Sequence, residues 1–359
     1  MSRLAGHNTP GDPRTTMRHD RARKNLDRYP TTSSPQYGRR RGWLWMPQHV
    51  TFWGGVFQGR SGGGRPGHAL AVSKRRATTG TRFTELAGCA YPLQLAGMGG
   101  GVGGPELAAA VRDAGGLGMV TAGEPVPHGC GVGFLAPFVE SADDVAEAAR
   151  HSRMIEFFYG PPDPAWVGCA HDGGALVGWQ VGSAQEAAAA QAAGCDYVIA
   201  QGVEAGGHVR ATQPLDSVLG GVLARISVPV VAAGGISSPE RVAELIAAGA
   251  DAVRIGTSFL ACPEARTHPD YLANLLTATG DDTVLTEWFS QGWPSAPHRV
   301  LRASLDAAQR SGWRAVKPPS RDDARPAADM AQYAGTGVGA IRTSESAHHV
   351  LRHLVSGLA

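Results

Sequence analysis

A short unit recurs in the second part of this chain and limits what it can fold into. Residues 192–202 read AAGCDYVIAQG, residues 247–257 read AAGADAVRIGT, and residues 113–123 read DAGGLGMVTAG. In each, an Ala-rich segment stops at a glycine, the residue that most readily ends a helix in the left-handed conformation. An apolar run follows almost at once. The unit therefore predicts a helix followed closely by a strand, repeated along the chain.

Eight apolar runs predict strands, at 92–96, 117–121, 132–136, 154–158, 175–181, 197–201, 229–233 and 252–256. The clearest helical segments between them are 105–114, 142–150, 183–193, 217–225 and 238–248. The strands are apolar on both faces, which is typical of parallel strands covered by helices. Eight such units favour an α/β fold of the (β/α)8 TIM-barrel type. A doubly wound open sheet is the alternative.

The first 82 residues differ in kind from the rest. They hold 16 Lys and Arg against 3 Asp and Glu, whereas residues 83–359 hold 17 against 28. Arg, Gly, Pro, Ser and Thr dominate, and such a composition cannot bury enough apolar surface to offset chain entropy. We expect a disordered basic arm over 1–82 and one barrel domain over 83–359. The arm either contacts nucleic acid or a membrane surface, or it is an upstream extension without a selected role.

Several classes of protein are disfavoured. No run approaches the ~20 apolar residues that span a membrane, and no secretory signal is recognised. The five cysteines lie far apart without zinc spacing, so no metal site is expected and a reduced, cytoplasmic protein follows. No nucleic-acid or membrane partner is expected for the barrel, and a homodimer is left open.

In a barrel, function gathers at the C-terminal ends of the strands. The seventh strand runs into Gly234 and Gly235, and the eighth runs into Gly256 and Thr257. Bare backbone N–H groups beside a helix N-terminus suit a phosphate group, although the glycines would also serve a plain tight turn. The first strand runs into AGMGGGVGG, but no acidic residue closes the following strand, so a dinucleotide site is rejected. We expect the phosphate of a flavin whose ring lies near Met98.

The sixth strand runs into QGVEAGGHV at 201–209, which carries the histidine of greatest interest. His208 lies in a glycine loop at a strand end, and imidazole titrates near ~6.5, so it is a candidate general base. The competing interpretation is a loop histidine that caps or hydrogen-bonds the backbone. Glu204 is expected to orient nearby main chain or a helix end. Gly206 and Gly207 are expected to let flavin and substrate approach the backbone closely.

Residues 281–305, DDTVLTEWFSQGWPSAPHRVLRASL, break the repeat. Their tryptophans, Phe289 and prolines predict a rigid excursion that covers the barrel mouth, within a cover segment of about 262–330. An aromatic plug with only a packing role is the alternative. His298, in this stretch, is interpreted as a packing or capping residue.

Taken together, the AGMGGGVGG, AQGVEAGGHVR, AAGGISSPE, RIGTSFLACPEA and YAGTGVGAIR segments resemble the nitronate monooxygenase family. The similarity covers roughly residues 85 to 355 and nothing in 1–82. It implies an FMN-binding barrel that oxidises alkyl nitronates, and by extension nitroalkanes, with molecular oxygen. An NADH-dependent FMN enoyl-thioester reductase, which shares these loops and the histidine, is the alternative.

The resemblance also implies roles for particular residues. His208 becomes the catalytic base. The FMN contacts that it implies are Ala96, Gly97, Met98, Gln180, Gln201, Gly207, Gly234, Gly235, Gly256 and Thr257. One position departs from the family pattern, because the first strand usually ends in Ala-Pro-Met and Gly97 stands here in place of the proline. Arg210 and Arg254 are the candidates for holding an anionic end of the substrate.

Overall fold

The computed structural model describes residues 79–293 and 295–358. Most of the predicted basic arm, residues 1–78, therefore lies outside the described residues. The first helix, α1 (Arg82–Ala87), begins at Arg82, which is the last residue of the predicted arm, and Thr81 is its N-cap.

Eight parallel strands form the predicted barrel. They are β1 (Leu93–Leu95), β2 (Met119–Thr121), β3 (Gly131–Leu135), β4 (Met154–Phe158), β5 (Leu176–Val181), β6 (Tyr197–Gln201), β8 (Val230–Ala233) and β9 (Ala252–Ile255). Their order is β1-β9-β8-β6-β5-β4-β3-β2. A parallel bridge between Gln94 and Leu117 joins the two ends of this order, just before β2 begins. The TIM-barrel prediction is confirmed, and the open-sheet alternative is wrong.

Helices follow the strands around the outside. They are α2 (Pro105–Asp113), α3 (Ala142–His151), α4 (Pro164–Asp172), α5 (Ala184–Ala192), α6 (Leu215–Leu223) and α7 (Pro239–Ala247). The side chains of Ser141, Ser183 and Ser238 accept backbone hydrogen bonds at the starts of α3, α5 and α7, which satisfies N–H groups that a helix leaves unpaired. The helix α4 was not predicted, because GCAHDGG looks like a loop. His171 lies in it and bonds Asp196 at 2.8 Å.

The helix α1 covers the N-terminal end of the barrel. Phe83 is fully buried and meets the Tyr197 ring edge-on, with centroids 5.6 Å apart. Arg82 pairs with the buried carboxylate of Asp251. The same carboxylate also accepts a hydrogen bond from the backbone N–H of Val230. The bottom of the barrel is therefore closed, and the open strand ends lie on the opposite side.

A long excursion separates the eighth strand, β9, from the helix that completes the outer ring. It contains the short helix α8 (Thr257–Leu260), α9 (Pro269–Thr277), β10 (Thr283–Thr286), β11 (His298–Leu301) and α10 (Arg302–Ser311). The chain returns at α11 (Ala347–Leu354), which packs between α2 and α7 and takes the position of the eighth barrel helix. The excursion thus extends past the predicted end of the cover near residue 330.

The excursion adds a second, antiparallel sheet on the loop that carries the candidate histidine. Its order is β10-β11-β7, in which β7 is Gly207–His208. In this register His298 lies opposite His208, and Arg299 lies opposite Gly207. Arg299 also donates from Nε and Nη2 to the carbonyl of Val203. The cover is therefore joined to the strand-6 loop by main chain and side chain.

Within the described ranges, no helix is both long enough and apolar enough to pass through a bilayer.

Candidate active site

The loop after β8 presents free backbone N–H groups at the open end of the barrel. Gly234 and Gly235 have φ of 118° and 67°, a region that side chains rarely adopt. In the part of the chain that the structure describes, the N–H groups of Gly234, Gly235 and Ile236 donate to no protein acceptor. The helix α7 begins just beyond, behind the Ser238 cap. This turn has the form of an anion cradle.

The loop after β9 lies beside the first strand. A Cβ on Gly256 would stand 3.3 Å from the Cβ of Ala96, so the ends of β9 and β1 approach closely at this point. Ala96 donates its N–H to the carbonyl of Ile255 at 2.8 Å. Thr257 accepts a hydrogen bond at Oγ1 from the N–H of Gly335 at 3.1 Å. The predicted phosphate residues of both loops are thus brought to one mouth, together with Ala96.

The long glycine loop after β1 continues from there. Met98 is partly buried and accepts a backbone bond from Gly103. At Gly97, an added Cβ would meet Thr121 and Val120 at 3.8 Å, which is ordinary contact distance. This position therefore has room for a side chain, and its glycine is not required by packing. Gly100, with φ of 73°, lies against Pro318 of the excursion.

The two predicted glutamines have different surroundings. Gln201, at the end of β6, donates from Nε2 to the carbonyl of His208 at 2.9 Å and accepts from the N–H of Arg210 at 3.1 Å. Its amide thus holds the histidine loop in place. Gln180, at the end of β5, accepts at Oε1 from Arg254 Nη1 at 2.6 Å. This bond leaves the amide NH2 of Gln180 as the end available to another group.

Arg254 belongs to a polar cluster inside the barrel. Its guanidinium pairs with Glu156 and donates to Gln94 Oε1 from Nε at 3.0 Å. Glu156 also accepts from Tyr197 and from Gln94, each at 2.6 Å. The buried charge is thereby compensated, as a buried ion requires. The expectation that Arg254 holds an anionic substrate is wrong. Arg210, the other candidate, pairs with Glu186 at 2.7 Å.

The strand-6 loop owes its shape to contacts with the excursion. Glu204 accepts the N–H of Leu215 at 3.0–3.1 Å with both carboxylate oxygens, which confirms its predicted place at a helix start. A Cβ on Gly206 would stand 2.5 Å from the N of Gly335. Gly206 is therefore required by the chain at 334–335, and the expectation that it also lets a flavin approach stays a prediction. Gly207, with φ of 72°, has no such neighbour.

His208 stands at the end of this loop with one ring nitrogen in an apolar setting. Its Nε2 is buried and has no hydrogen-bond partner. Burial lowers the pKa of His208 to about 3, and the nearby imidazole of His298 adds to the effect. Removal from water disfavours the charged form of a base, so His208 is neutral at pH 7.

Aromatic rings surround the imidazole. The Trp293 ring lies over it at a centroid distance of 4.1 Å and an angle of 30°. Tyr159, at the end of β4, lies edge-on at 6.1 Å, and Tyr333 lies at 5.9 Å. Tyr159 directly follows β4, whereas Trp293 and Tyr333 both belong to the excursion. The excursion thus contacts the candidate base at the open end of the barrel, and its role as a cover of the mouth stays a prediction.

The backbone is strained where the cover meets the barrel. Among the described non-glycine residues, Tyr159 and Ser295 have positive φ, at 67° and 58°, and such conformations persist only where their surroundings impose them. The hydroxyl of Tyr159 donates to the carbonyl of Ser295 at 3.4 Å, and its ring packs on Trp293 at 4.8 Å. Tyr159 therefore connects the end of β4 to the loop that holds Trp293.

Sequence reasoning missed Tyr159 and the part played by His298. The sequence FFYGPP at 157–162 does carry a signal for Tyr159, since a strand there runs into glycine and two prolines. No local signal exists for the pairing of His298 with His208, because it depends on a sheet formed across 90 positions of chain.

These features fit a flavin mononucleotide. The free N–H groups after β8 and the start of α8 suit its phosphate, and the Gln180 amide would reach a polar edge of its ring. His208 and the aromatic rings lie at the same open end of the barrel. A neutral imidazole in such a place can accept or donate one hydrogen bond to a bound molecule.

Comparison with known proteins identifies the family of the chain. The family model described as nitronate monooxygenase matches residues 136–357. A nitronate monooxygenase of Pseudomonas aeruginosa is 29% identical over 57% of this chain and 76% of its own length. An octahydroindene-carboxyl-CoA dehydrogenase of Mycobacterium tuberculosis is 33% identical over 66% of this chain and 70% of its own. A protein of the same bacterium named as a monooxygenase is 38% identical, but the chain spans only 40% of its length.

Among solved structures, FabK from Thermotoga maritima superimposes with a TM-score of 0.68 at 27% identity, over 78% of this chain and 96% of FabK. The family match covers most of the described barrel, including β4 to β9, the cover and α11. The chain therefore belongs to the nitronate monooxygenase family of oxidoreductases, whose members are flavoproteins.

Proposed function

We propose that this protein binds FMN and oxidises alkyl nitronates with molecular oxygen. The observation that carries the proposal is the unpartnered, buried Nε2 of His208 at the open end of the barrel, beside glycine loops with free N–H groups. Enzymes use bound cofactors for electron transfer, and the protein supplies position and electrostatics.

The proposed FMN contacts fall into two groups. Gly234, Gly235, Gly256 and Thr257 would hold the phosphate through main-chain N–H groups. The ring would lie across Ala96, Gly97 and Met98 and near Gly207, with Gln180 at a polar edge and Gln201 fixing the histidine loop. FMN, when bound, would supply the electron acceptor for the nitronate carbon.

His208 would act on the substrate as a neutral imidazole. With its pKa at about 3, it is weakly basic while Trp293 covers it. A nitronate has already lost its carbon-bound proton, so it needs only a hydrogen-bond donor at a nitro oxygen. A neutral nitroalkane would need His208 as a base, and displacement of Trp293 would restore basicity by exposing the ring to water or to substrate. Nitronates therefore demand less of His208 than nitroalkanes do, because they need no base.

A second candidate function is NADH-dependent reduction of an enoyl thioester. It is favoured by the likeness to FabK, an enoyl reductase, which spans almost all of that protein. An enoyl reductase must deliver a proton to its substrate. While Trp293 covers it, His208 is neutral and holds no imidazolium to deliver that proton, so we place this function second.

The cofactor and the reductant can be tested on the wild-type protein. We expect the purified chain to absorb near 450 nm, or to do so after incubation with FMN and gel filtration. Under anaerobic conditions, ethyl nitronate should bleach this absorbance, whereas NADH should not. Protein that stays colourless with FMN contradicts the cofactor, and rapid bleaching by NADH alone favours the reductase.

Replacement of His208 tests its role. We expect His208→Asn to retain FMN, because the His208 imidazole lies outside the loops proposed to hold the phosphate. The variant should lower kcat/KM for nitroethane by about 10²-fold or more, the usual contribution of a positioned base. Oxidation of ethyl nitronate should fall less, because no carbon proton is removed. Steady-state oxygen consumption with both substrates measures the difference. Unchanged nitroethane rates would exclude His208 as the base.

A further inference from the structure

His298 is fully buried, and one hydrogen bond fixes which of its two ring nitrogens carries the proton. The residue is 0% exposed, and its Nδ1 lies 2.9 Å from the carbonyl oxygen of Ala296. A carbonyl only accepts hydrogen bonds, so the proton of the neutral ring is on Nδ1. The Nε2 atom therefore carries a lone pair, and it is buried without a partner.

His298 lies in the same cluster of rings as His208. Residues directly opposite each other in an antiparallel pair project from the same face of the sheet, and His298 lies opposite His208. The two rings are 5.3 Å apart, and the other rings around His298 are Phe289 at 5.8 Å and Tyr333 at 5.9 Å. The structure thus places Nε2 of His298, which can only accept a hydrogen bond, in the ring that neighbours the His208 imidazole.

An acceptor buried without a donor is costly, since its hydration is lost and nothing replaces it. Such an atom in a native protein calls for a partner from outside the fold. The partner must bring a donor, because Nε2 of His298 cannot donate. It must also reach His208 within the same small cluster of rings.

We propose that His298 is a substrate-binding residue, whose Nε2 accepts a hydrogen bond from a hydroxyl group on the substrate. The inference rests on the proposed function and deepens it, because it names nitronates that carry a hydroxyl on the carbon next to the reacting one. The nitronate oxygens would face His208, and the hydroxyl would face His298.

A hydroxyl satisfies His298, whereas a methyl group of the same size leaves Nε2 unpaired. Sites built to bond a substrate hydroxyl discriminate strongly against the analogue that lacks it, for this reason. Entry requires the Trp293 ring to leave His208. Gly292, next to it, has φ of 80° and no heavy atom within 4 Å of an added Cβ, so the loop has room to turn there.

Two isosteric substrates test the proposal by activity. The nitronate of 2-nitroethanol and that of 1-nitropropane differ only by hydroxyl against methyl. We expect wild-type protein to prefer the hydroxylated nitronate by at least about 10-fold in kcat/KM, the size of one hydrogen bond. His298→Phe should abolish the preference, and His298→Gln, which keeps an acceptor, should restore part of it. Val300→Ala, on the same buried strand, is the control and should keep the preference.

A binding test separates this proposal from the proposed function. The carboxylates 3-hydroxypropionate and butyrate resemble the two nitronates but cannot be oxidised in the same way. Calorimetry on the flavin-loaded protein should show tighter binding of 3-hydroxypropionate to wild type and to Val300→Ala, but not to His298→Phe. If no nitronate is oxidised while this preference holds, the function fails and the role of His298 stands. Equal affinities in wild type, or a preference that survives in His298→Phe, would overturn the role of His298.

Discussion

His208 takes its chemical character from residues that are far from it in the chain. The sequence identifies it from the glycine loop and its place at a strand end. Its neutral state, however, follows from Trp293 and His298, which reach it only through the excursion. Local patterns can show that a histidine stands at a strand end, but they carry no information on which rings pack against it. The candidate residue and the direction of its pKa shift were therefore predictable, whereas the rings that cause the shift were not.

The buried histidines give the protein a specific dependence on pH. In the unfolded chain, His208 binds a proton below about pH 6.5, whereas in the folded protein its pKa is about 3. The unfolded state thus binds more protons between these values, so stability falls as the pH falls through this window. The pKa of His298 is also lowered by burial, which acts in the same direction.

We expect the free energy of unfolding to drop between pH 7 and pH 5 by on the order of 2 kcal/mol more in wild type than in His208→Asn. Urea denaturation at the two pH values, followed by circular dichroism, measures the difference. Parallel losses in the two proteins would mean that His208 is accessible to protons in the folded state.

Among the elements, the barrel units were the most predictable. A glycine stop followed by an apolar run marks β6 and β9 with little ambiguity, because helix ends and buried strands each have a local chemical cause. The helix α4 was missed because the glycines in GCAHDGG outweigh its helix-forming residues. The strand β7 was missed because two residues, Gly207 and His208, have no periodicity and pair only with β11.

The contact between the strand-6 loop and the chain at 334–335 can be tested with a pair of glycines. A methyl group at Gly206 would stand 2.5 Å from the N of Gly335, whereas Gly220 in α6 has no heavy atom within 4 Å. We expect Gly206→Ala to destabilise the protein by about 1–3 kcal/mol, the usual cost of overpacking, and to weaken FMN binding. Gly220→Ala should be neutral or stabilise by up to about 1 kcal/mol. Thermal melts and flavin titrations measure both, and equal behaviour of the two variants would contradict the role of this contact.

At the scale of the whole molecule, the charge asymmetry predicts a basic arm over 1–82 and a barrel domain over 83–359. The described residues, 79–293 and 295–358, belong to one compact unit. The division at residue 82 stays a prediction, because 1–78 lie outside the described residues. The fold class followed from eight repeated units. The path of the excursion did not follow from these units. Its strands β10 and β11 pair with the strand-6 loop, and the chain then returns to the barrel at α11.

A chain that begins at residue 74 tests the division. We expect it to bind FMN with the same affinity and to melt at the same temperature as the full chain, because it keeps Thr81, whose hydroxyl donates to the carbonyl of Asp251 in the barrel. Binding of duplex DNA at low salt, compared between the two chains, tests the alternative role of the basic arm. Loss of flavin from the shorter chain would contradict the proposed division.

The position of α11 has a consequence for synthesis. A ribosome completes all eight barrel strands by Ile255, but the helix that fills the gap between α2 and α7 emerges only after Ser346. Until then the nascent chain exposes an apolar seam, and Leu351, fully buried in the finished protein, has yet to cover it. Mutations that slow folding of the cover should therefore lower the yield of active protein in cells even when the purified protein is stable, because the seam stays open to chaperones and to other nascent chains for longer.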